Sequence, residues 1–431
     1  MSDADTRVAA ILRGRTGPHV AAFFDLDGTL IDGGIRPARE AMLRASTGMS
    51  EDELANLAER VFAERIAARL RSETWSLVQA HRRMGHRVAV ITTGPRWQVG
   101  PLAERLGIDD VLCGEAVAAS KTLAVLDFAS EHGIDLSASH AYAAAGDDVS
   151  FLELCGNPCA VRPRRALAKT ARENDGEILD LDRRAGCGPV TAARSLAAWS
   201  GVLAGVGTGL GLAALGRDGR ASAEFGTTVA SRACLEWAGV RVSVRGDEHL
   251  GVRPAVFLFN HQSWLDVAVM ARLLRRDYTG FAKSELSRVP GLARFGRLLE
   301  IVFVDRDAAG AGSDSFGTML ELLSRGVSVA VAPEGTRSLT PMPGPFKKGA
   351  FLAARKAGVP LVPVVIRNTG RLMPRGRRTV RAGWIDVVVN PPIDATRWRI
   401  AELGERIEDL RSSYIDTLTT GRVFADVGLP R

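Results

Sequence analysis

Asn260-His261-Gln262-Ser263-Trp264-Leu265-Asp266, with the later Pro333-Glu334-Gly335-Thr336-Arg337-Ser338, decides how this chain is read. The first stretch follows the compact apolar run Val256-Phe257-Leu258-Phe259, which predicts a buried strand that delivers His261 and Asp266 to the end of a sheet. A carboxylate five residues from an imidazole can fix the ring's tautomer and stabilise the imidazolium that forms when the ring takes a proton. No serine stands in a Gly-x-Ser-x-Gly elbow, so His261 is read as activating a hydroxyl on a bound substrate. The second stretch follows Val327-Ser328-Val329-Ala330-Val331-Ala332 and brings a glycine backbone, a hydroxyl and a guanidinium together, a combination that suits a phosphate.

These residues resemble the blocks of the glycerolipid acyltransferases, and within them the 1-acyl-sn-glycerol-3-phosphate acyltransferases. Phe303-Val304-Asp305-Arg306 matches the family's Phe-x-Asp-Arg block, and Val359-Pro360-Leu361-Val362-Pro363 its apolar block with proline. The ordered set covers about residues 239–392. The resemblance implies that His261 takes the proton from the free hydroxyl of a lysophosphatidate while Asp266 orients the ring. It also implies that Arg306, Gly335, Thr336 and Arg337 hold the acceptor's phosphate, with Glu334 in the same binding block to position Arg337 or the loop. The expected donor is acyl-CoA or acyl-carrier protein. No metal is expected there, because a thioester is already activated and its developing oxyanion needs only fixed donors.

Nearer the start, Val20-Ala21-Ala22-Phe23-Phe24 predicts a short buried strand ending in Asp25-Leu26-Asp27-Gly28-Thr29-Leu30. Two carboxylates two residues apart on an extended segment emerge on one side. One can attack a phosphorus while the other protonates the leaving oxygen, with Mg2+ bridging the charges. This stretch resembles the haloacid dehalogenase-like phosphatases, closest to the phosphoserine phosphatase branch. The resemblance implies Asp25 as nucleophile, Asp27 as acid and base, Thr92 as the phosphate-binding hydroxyl, Lys121 as the neutralising lysine, and Asp25, Asp27 and Asp148 around Mg2+. The chain departs from the pattern at Ala144, where the family has a further metal-binding aspartate, although Asp147 offers a neighbouring carboxylate. Two readings stay open: an active phosphatase on a small or lipid phosphate, or a retained scaffold serving as a regulatory binding module.

By the rule of about 150 residues per domain, 431 residues suggest two or three domains. The expectation is an α/β architecture. Residues 1–18 form a loose tail, and 19–186 a Rossmann-like haloacid dehalogenase domain with a helical cap over 33–84. Residues 187–238 then make a linker and membrane-associated helical segment, and 239–431 an α/β acyltransferase domain. Residues 195–216 carry no charge, and as a helix they would extend about 33 Å, close to the hydrocarbon thickness of a bilayer. Six glycines interrupt them. A single crossing would separate two sites that should both face the cytoplasm, so a hairpin dipping into one leaflet is expected, with residues 221–238 returning along the interface.

The balance of 56 basic and 49 acidic residues gives +7, which favours an anionic partner. Without an aromatic-studded platform, nucleic acid is not expected. Arg371, Arg375, Arg377, Arg378 and Arg381 instead suit a membrane surface or a phosphorylated ligand. Five cysteines, at 113, 155, 159, 187 and 234, are scattered without metal-site spacing and imply a reducing compartment.

Overall fold

The computed structural model of the chain describes residues 3–34, 46–163, 165–173, 176–181, 188–304 and 311–421. Arg306, Cys187 and the expected domain boundary at Gly186 lie outside the described residues, as do residues 35–45 of the expected cap. Two compact units are present, one built on residues 1–185, the other on 186–338 and 343–431.

In the first unit six parallel strands form one sheet: β1 (Ala21–Asp25), β2 (Arg87–Ile91), β3 (Asp110–Leu112), β4 (His140–Ala143), β5 (Asn157–Val161) and β6 (Glu177–Leu179). Their order is β3-β2-β1-β4-β5-β6. β1 is buried along its whole length, as an unbroken apolar run must be when helices cover both faces of a parallel sheet. The strand order reverses between β1 and β4, so a crevice opens beyond their C-terminal ends, where such sheets bind ligands.

The N-terminus is not a loose tail. Helix α1 (Asp3–Ile11) buries Ala4, Arg7, Val8 and Ile11, spaced to share one face. The apolar signal is only three residues long, too sparse to stand out as periodic. In the cap region α2 (Glu51–Val61) begins at a Ser50 and Glu53 capping box, and one π turn and one 3-10 turn follow as far as Arg69. The cap expected over 33–84 ends earlier, because α3 (Ser72–Arg83) buries Trp75, Leu77 and Val78 and packs on β2 and α1 as part of the core layer. Further along, α4 (Lys121–His132) presents Lys121 at its first position.

The second unit opens on a helical hairpin, α5 (Pro189–Ala214) and α6 (Gly219–Trp237). Seven strands follow: β7 (Val240–Arg245), β8 (Val256–Phe259), β9 (Tyr278–Lys283), β10 (Val302–Val304), β11 (Ser328–Val331), β12 (Leu361–Arg367) and β13 (Gly383–Val389). The sheet order is β10-β9-β11-β8-β12-β13-β7, parallel throughout except between β12 and β13. Helices α7 (Leu265–Leu274), α8 (Gly349–Ala357) and α9 (Leu403–Thr420) are among those that cover it. Along α9, Leu403, Ile407, Leu410 and Tyr414 are buried as their spacing predicts, but Ile400 sits in a separate 3-10 turn and is exposed.

The hairpin explains its glycines. Gly201, Gly205 and Gly209 line the α5 face that meets α6, and a Cβ on Gly205 would fall 2.4 Å from the Ala230 nitrogen. Only glycine permits that backbone approach. In the stretch 221–238, α6 packs between α5 and α7, with Cys234, Leu235 and Ala238 in the core, while Phe225 and Trp237 are exposed. The start of the uncharged run is also held by protein. Ser195 Oγ accepts from the Val380 amide at 2.8 Å, and Trp199 Nε1 donates to the Arg378 carbonyl at 2.8 Å. Leu196 and Leu203 on the other face of α5 are exposed.

Candidate active site

β8 and β11 are parallel neighbours with Leu258 opposite Val331, so the loops leaving their C-terminal ends meet although they lie far apart in sequence. His261 sits in the first loop and Glu334 in the second. His261 Nδ1 is 2.8 Å from Asp266 Oδ2, and the same oxygen accepts the Gln262 and Ser263 amides at 2.7 Å each. Asp266 is fully buried in the first turn of α7, where a carboxylate is favoured by the free amides of the helix start. Its charge and three bonds orient the imidazole, whose side chain keeps 15% exposure. Phe259 packs edge-on against the ring.

Glu334 lies between the two loops. Both its oxygens face the loops: Oε1 accepts the His261 amide at 2.7 Å, while Oε2 accepts the Gly344 amide at 2.9 Å and the Ser338 hydroxyl. Ser338 N–H in turn donates to the His261 carbonyl at 2.7 Å. Burial pushes the Glu334 carboxyl above its usual range, while Ser338 and the two amides hold it down in part. This side chain staples the two loops together and is itself buried.

Gly335, Thr336 and Arg337 lie beside this staple. Gly335 has φ +72°, and its Cα face is covered by the Lys347 side chain. Arg337 stacks over the Trp264 ring at 5.3 Å, and Arg375 donates to the Arg337 carbonyl at 2.6 Å. Three features were not legible in the sequence: Lys347 against Gly335, Trp264 beneath Arg337, and the buried Asn260. The Asn260 amide exchanges hydrogen bonds of 2.8 and 2.7 Å with the Ile366 main chain and extends the β8–β12 pairing. Asparagine before the histidine was the available signal, because a buried amide must find both a donor and an acceptor.

In the first unit Asp25, Lys121 and Asp148 come together. Lys121 Nζ donates to Asp25 Oδ1 at 2.7 Å and to Asp148 Oδ1 at 2.6 Å. Thr92 follows β2, which pairs with β1 so that Ile91 lies opposite Asp25. Asp27 is half-buried two residues beyond the strand. Ala144 faces the same loop, since a Cβ on Gly28 would meet the Ala144 Cβ at 3.0 Å. The side chain of Asp147 is outside the described residues. Asp148 Oδ2 is buried without a hydrogen-bond partner, and an orphaned carboxylate oxygen beside a second carboxylate is a fit for a hard cation. The alanine removes one of the oxygens such an ion would use.

Burial pushes the Asp25 carboxyl up to about 7, with Lys121 opposing and Asp148 adding to the rise. A carboxyl raised above its unfolded value near 3.9 contributes stability below that value and loses it as pH climbs through about 7. Asp25→Asn should therefore flatten the decline in melting temperature between pH 4 and 7, with Lys121 still paired to Asp148. Parallel pH–Tm curves for the two proteins would remove burial as the cause.

Residues 241–367 match the family model for acyltransferases, and residues 34–153 that for haloacid dehalogenase-like hydrolases. The 1-acyl-sn-glycerol-3-phosphate acyltransferase of Saccharomyces cerevisiae is 35% identical over 183 residues, which cover 42% of this chain and 60% of that protein. Among solved structures, the 1-acyl-sn-glycerophosphate acyltransferase of Thermotoga maritima aligns over 53% of this chain and 95% of its own, at 27% identity and a TM-score of 0.46. A phosphoserine phosphatase aligns over 39% of this chain and 97% of its own, at 19% identity and a TM-score of 0.30. The chain spans 46% to 62% of the length of the curated acyltransferases it is similar to.

Proposed function

We propose that the second unit transfers a fatty acyl group from acyl-CoA or acyl-carrier protein to the 2-hydroxyl of 1-acyl-glycerol-3-phosphate, making phosphatidate. The observation that carries this reading is the His261–Asp266 pair at 2.8 Å, set beside a loop of glycine, hydroxyl and guanidinium groups. With Nδ1 committed to Asp266, the ring's Nε2 takes the acceptor's hydroxyl proton. The freed oxygen attacks the thioester carbonyl, the carbon–sulfur bond breaks, and the departing thiolate takes the proton back from His261. Thr336, Arg337 and Lys347 hold the acceptor's phosphate, with Arg337 kept in place by the Trp264 face. Arg306 joins them by the family resemblance. The names of the relatives support the choice of acceptor.

The reading is tested by following labelled acyl-CoA and lysophosphatidate in detergent. Formation of phosphatidate supports it, whereas acylation of a different lysolipid alone would replace the acceptor and keep the chemistry.

The same unit meets the membrane on its cytoplasmic face in this reading. α5 is long and apolar enough by length and composition to cross a bilayer, with 22% of its most apolar window buried. Leu196, Trp199 and Leu203 share its outer face, and Trp199 adjoins the loop carrying the exposed Arg375, Arg377 and Arg378. Apolar side chains next to a basic loop suit an anionic lipid surface. Replacing Leu196 and Leu203 by glutamate should release the protein from anionic vesicles in a sedimentation assay while leaving its melting temperature unchanged. Retention of the double variant would end the proposal for this face.

A second reading, for the first unit, is favoured by the Asp25–Lys121–Asp148 cluster: hydrolysis of a phosphate monoester with Asp25 as nucleophile. Asp25, Asp27 and Asp148 would hold Mg2+, which would supply charge neutralisation to the attacked phosphate. The rival without turnover is a regulatory binding module. Mg2+-dependent phosphate release that disappears in Asp25→Asn separates the two.

A further inference from the structure

Three histidines meet at the end of the first sheet opposite Asp25. His81 lies in the last turn of α3, His86 in the turn before β2, and His140 opens β4. The length of β1 puts them about 13 Å from the Asp25 end at 3.3 Å per residue, so they are separate from the phosphatase-like cluster. One ring nitrogen from each lies within 4.8 Å of those of the other two. His81 and His86 are buried, and His140 is half-buried.

The hydrogen bonds assign the protons. His86 Nε2 is 2.7 Å from the Arg15 carbonyl, which can only accept, so Nε2 carries the hydrogen and Nδ1 has a lone pair. His86 Nδ1 is 2.9 Å from His81 Nδ1, which must then donate. That leaves His81 Nε2 to accept from the Tyr142 hydroxyl at 2.8 Å. The two Nδ1 atoms thus face each other, while both Nε2 atoms are held from outside by a carbonyl and a phenol. A metal-binding histidine is oriented by the same kind of outer bond on its second nitrogen.

We propose that His81, His86 and His140 form a binding site for a transition-metal ion of the Zn2+ class. Three imidazoles without a carboxylate favour Zn2+, Co2+, Ni2+ or Cu2+ and discriminate against Mg2+ and Ca2+. Binding leaves the proton count unchanged: the His81 proton moves from Nδ1 to Nε2 and is donated to the Tyr142 oxygen, whose own hydrogen rotates away. Small ring rotations then bring the nitrogens to about 2.0 Å from the ion.

Burial lowers the pKa of all three rings, His140 to about 3, so they are neutral, the form that ligates. The opposing feature is Arg7, whose guanidinium is 3.3 Å from His140 Nδ1. Glu177 pairs with that guanidinium and offsets its charge. A cavity of about 330 Å³, lined by Arg7, Arg15, Ser137, His140 and Asn157, adjoins the site and gives an ion and a fourth, water ligand access to it.

The test is titration of the full chain, freed of metal by chelation, with Co2+ and then Zn2+. With excess Mg2+ present to fill the carboxylate cluster, one equivalent per chain should bind, with the visible absorption of four- or five-coordinate Co2+ that Zn2+ displaces, and Zn2+ should raise the melting temperature. His140→Ala, at the half-buried edge, should lose that equivalent and the thermal shift, and Asp25→Asn should keep both. His86→Gln, which retains a polar side chain, provides a second variant should the first melt without metal at a markedly lower temperature. Failure of the native chain to take up either ion, or uptake that survives both histidine substitutions, overturns the proposal.

Discussion

His261→Ala should lower acyl transfer to lysophosphatidate by about 10³-fold, the usual contribution of a positioned general base. The effect is expected to fall on turnover, because the groups assigned to the acceptor's phosphate lie on the other loop. The substitution should leave the fold intact. His261 is held in its loop by main-chain bonds, its amide to Glu334 and its carbonyl from Ser338, and both survive the loss of the ring. Asp266 likewise keeps its two backbone amides. A melting temperature close to that of the native chain, measured on the same preparation, makes the activity loss chemical. If the variant remains folded and still forms phosphatidate at near the native rate, His261 is not the base.

Glu334→Ala is expected to damage both stability and activity. It leaves the His261 and Gly344 amides and the Ser338 hydroxyl without their shared acceptor. A buried donor left unpaired costs about 1–3 kcal/mol, and removing a desolvated carboxylate gives part of that back, so a net loss of about 3 kcal/mol is expected. Acyl transfer should fall even at temperatures where the variant is folded, since the loop that carries His261 is no longer tied to the loop that carries Arg337. Glu334→Gln should not rescue it, because one side of the amide is itself a donor and faces a donor. Thermal melts and initial rates on the two variants test this together. Native-like melting of Glu334→Ala would mean the staple contributes nothing, and a fully active Glu334→Gln would mean its geometry does not matter.

The acyltransferase-like site was legible where chemistry is packed into short stretches. His261 and Asp266 share one strand-to-helix turn, and a carboxylate there can reach back to the ring whatever the rest of the fold does. Asp25 was legible for the same reason, at the end of an apolar run. A loop-positioning duty for Glu334 was legible, but its partners were not, because the donors it serves come from residues 261, 338 and 344. Helix α1 was missed because three apolar residues on one face of a nine-residue helix are hidden among charges. The weakly amphipathic pattern of residues 221–238 does not show in the sequence which face meets α5. In the fold those residues are a surface cut to fit the glycines of α5.

The sequence by itself determined the α/β class, the strands that lead to Asp25 and His261, and the residue types available at both clusters, since each is encoded within a few neighbouring positions. Only the tertiary structure decided that β8 and β11 are neighbours, that Trp264 lies beneath Arg337, and that His81, His86 and His140 meet. Strand order and helix packing are set by which apolar faces bury against one another across long separations, and no local spacing carries that information.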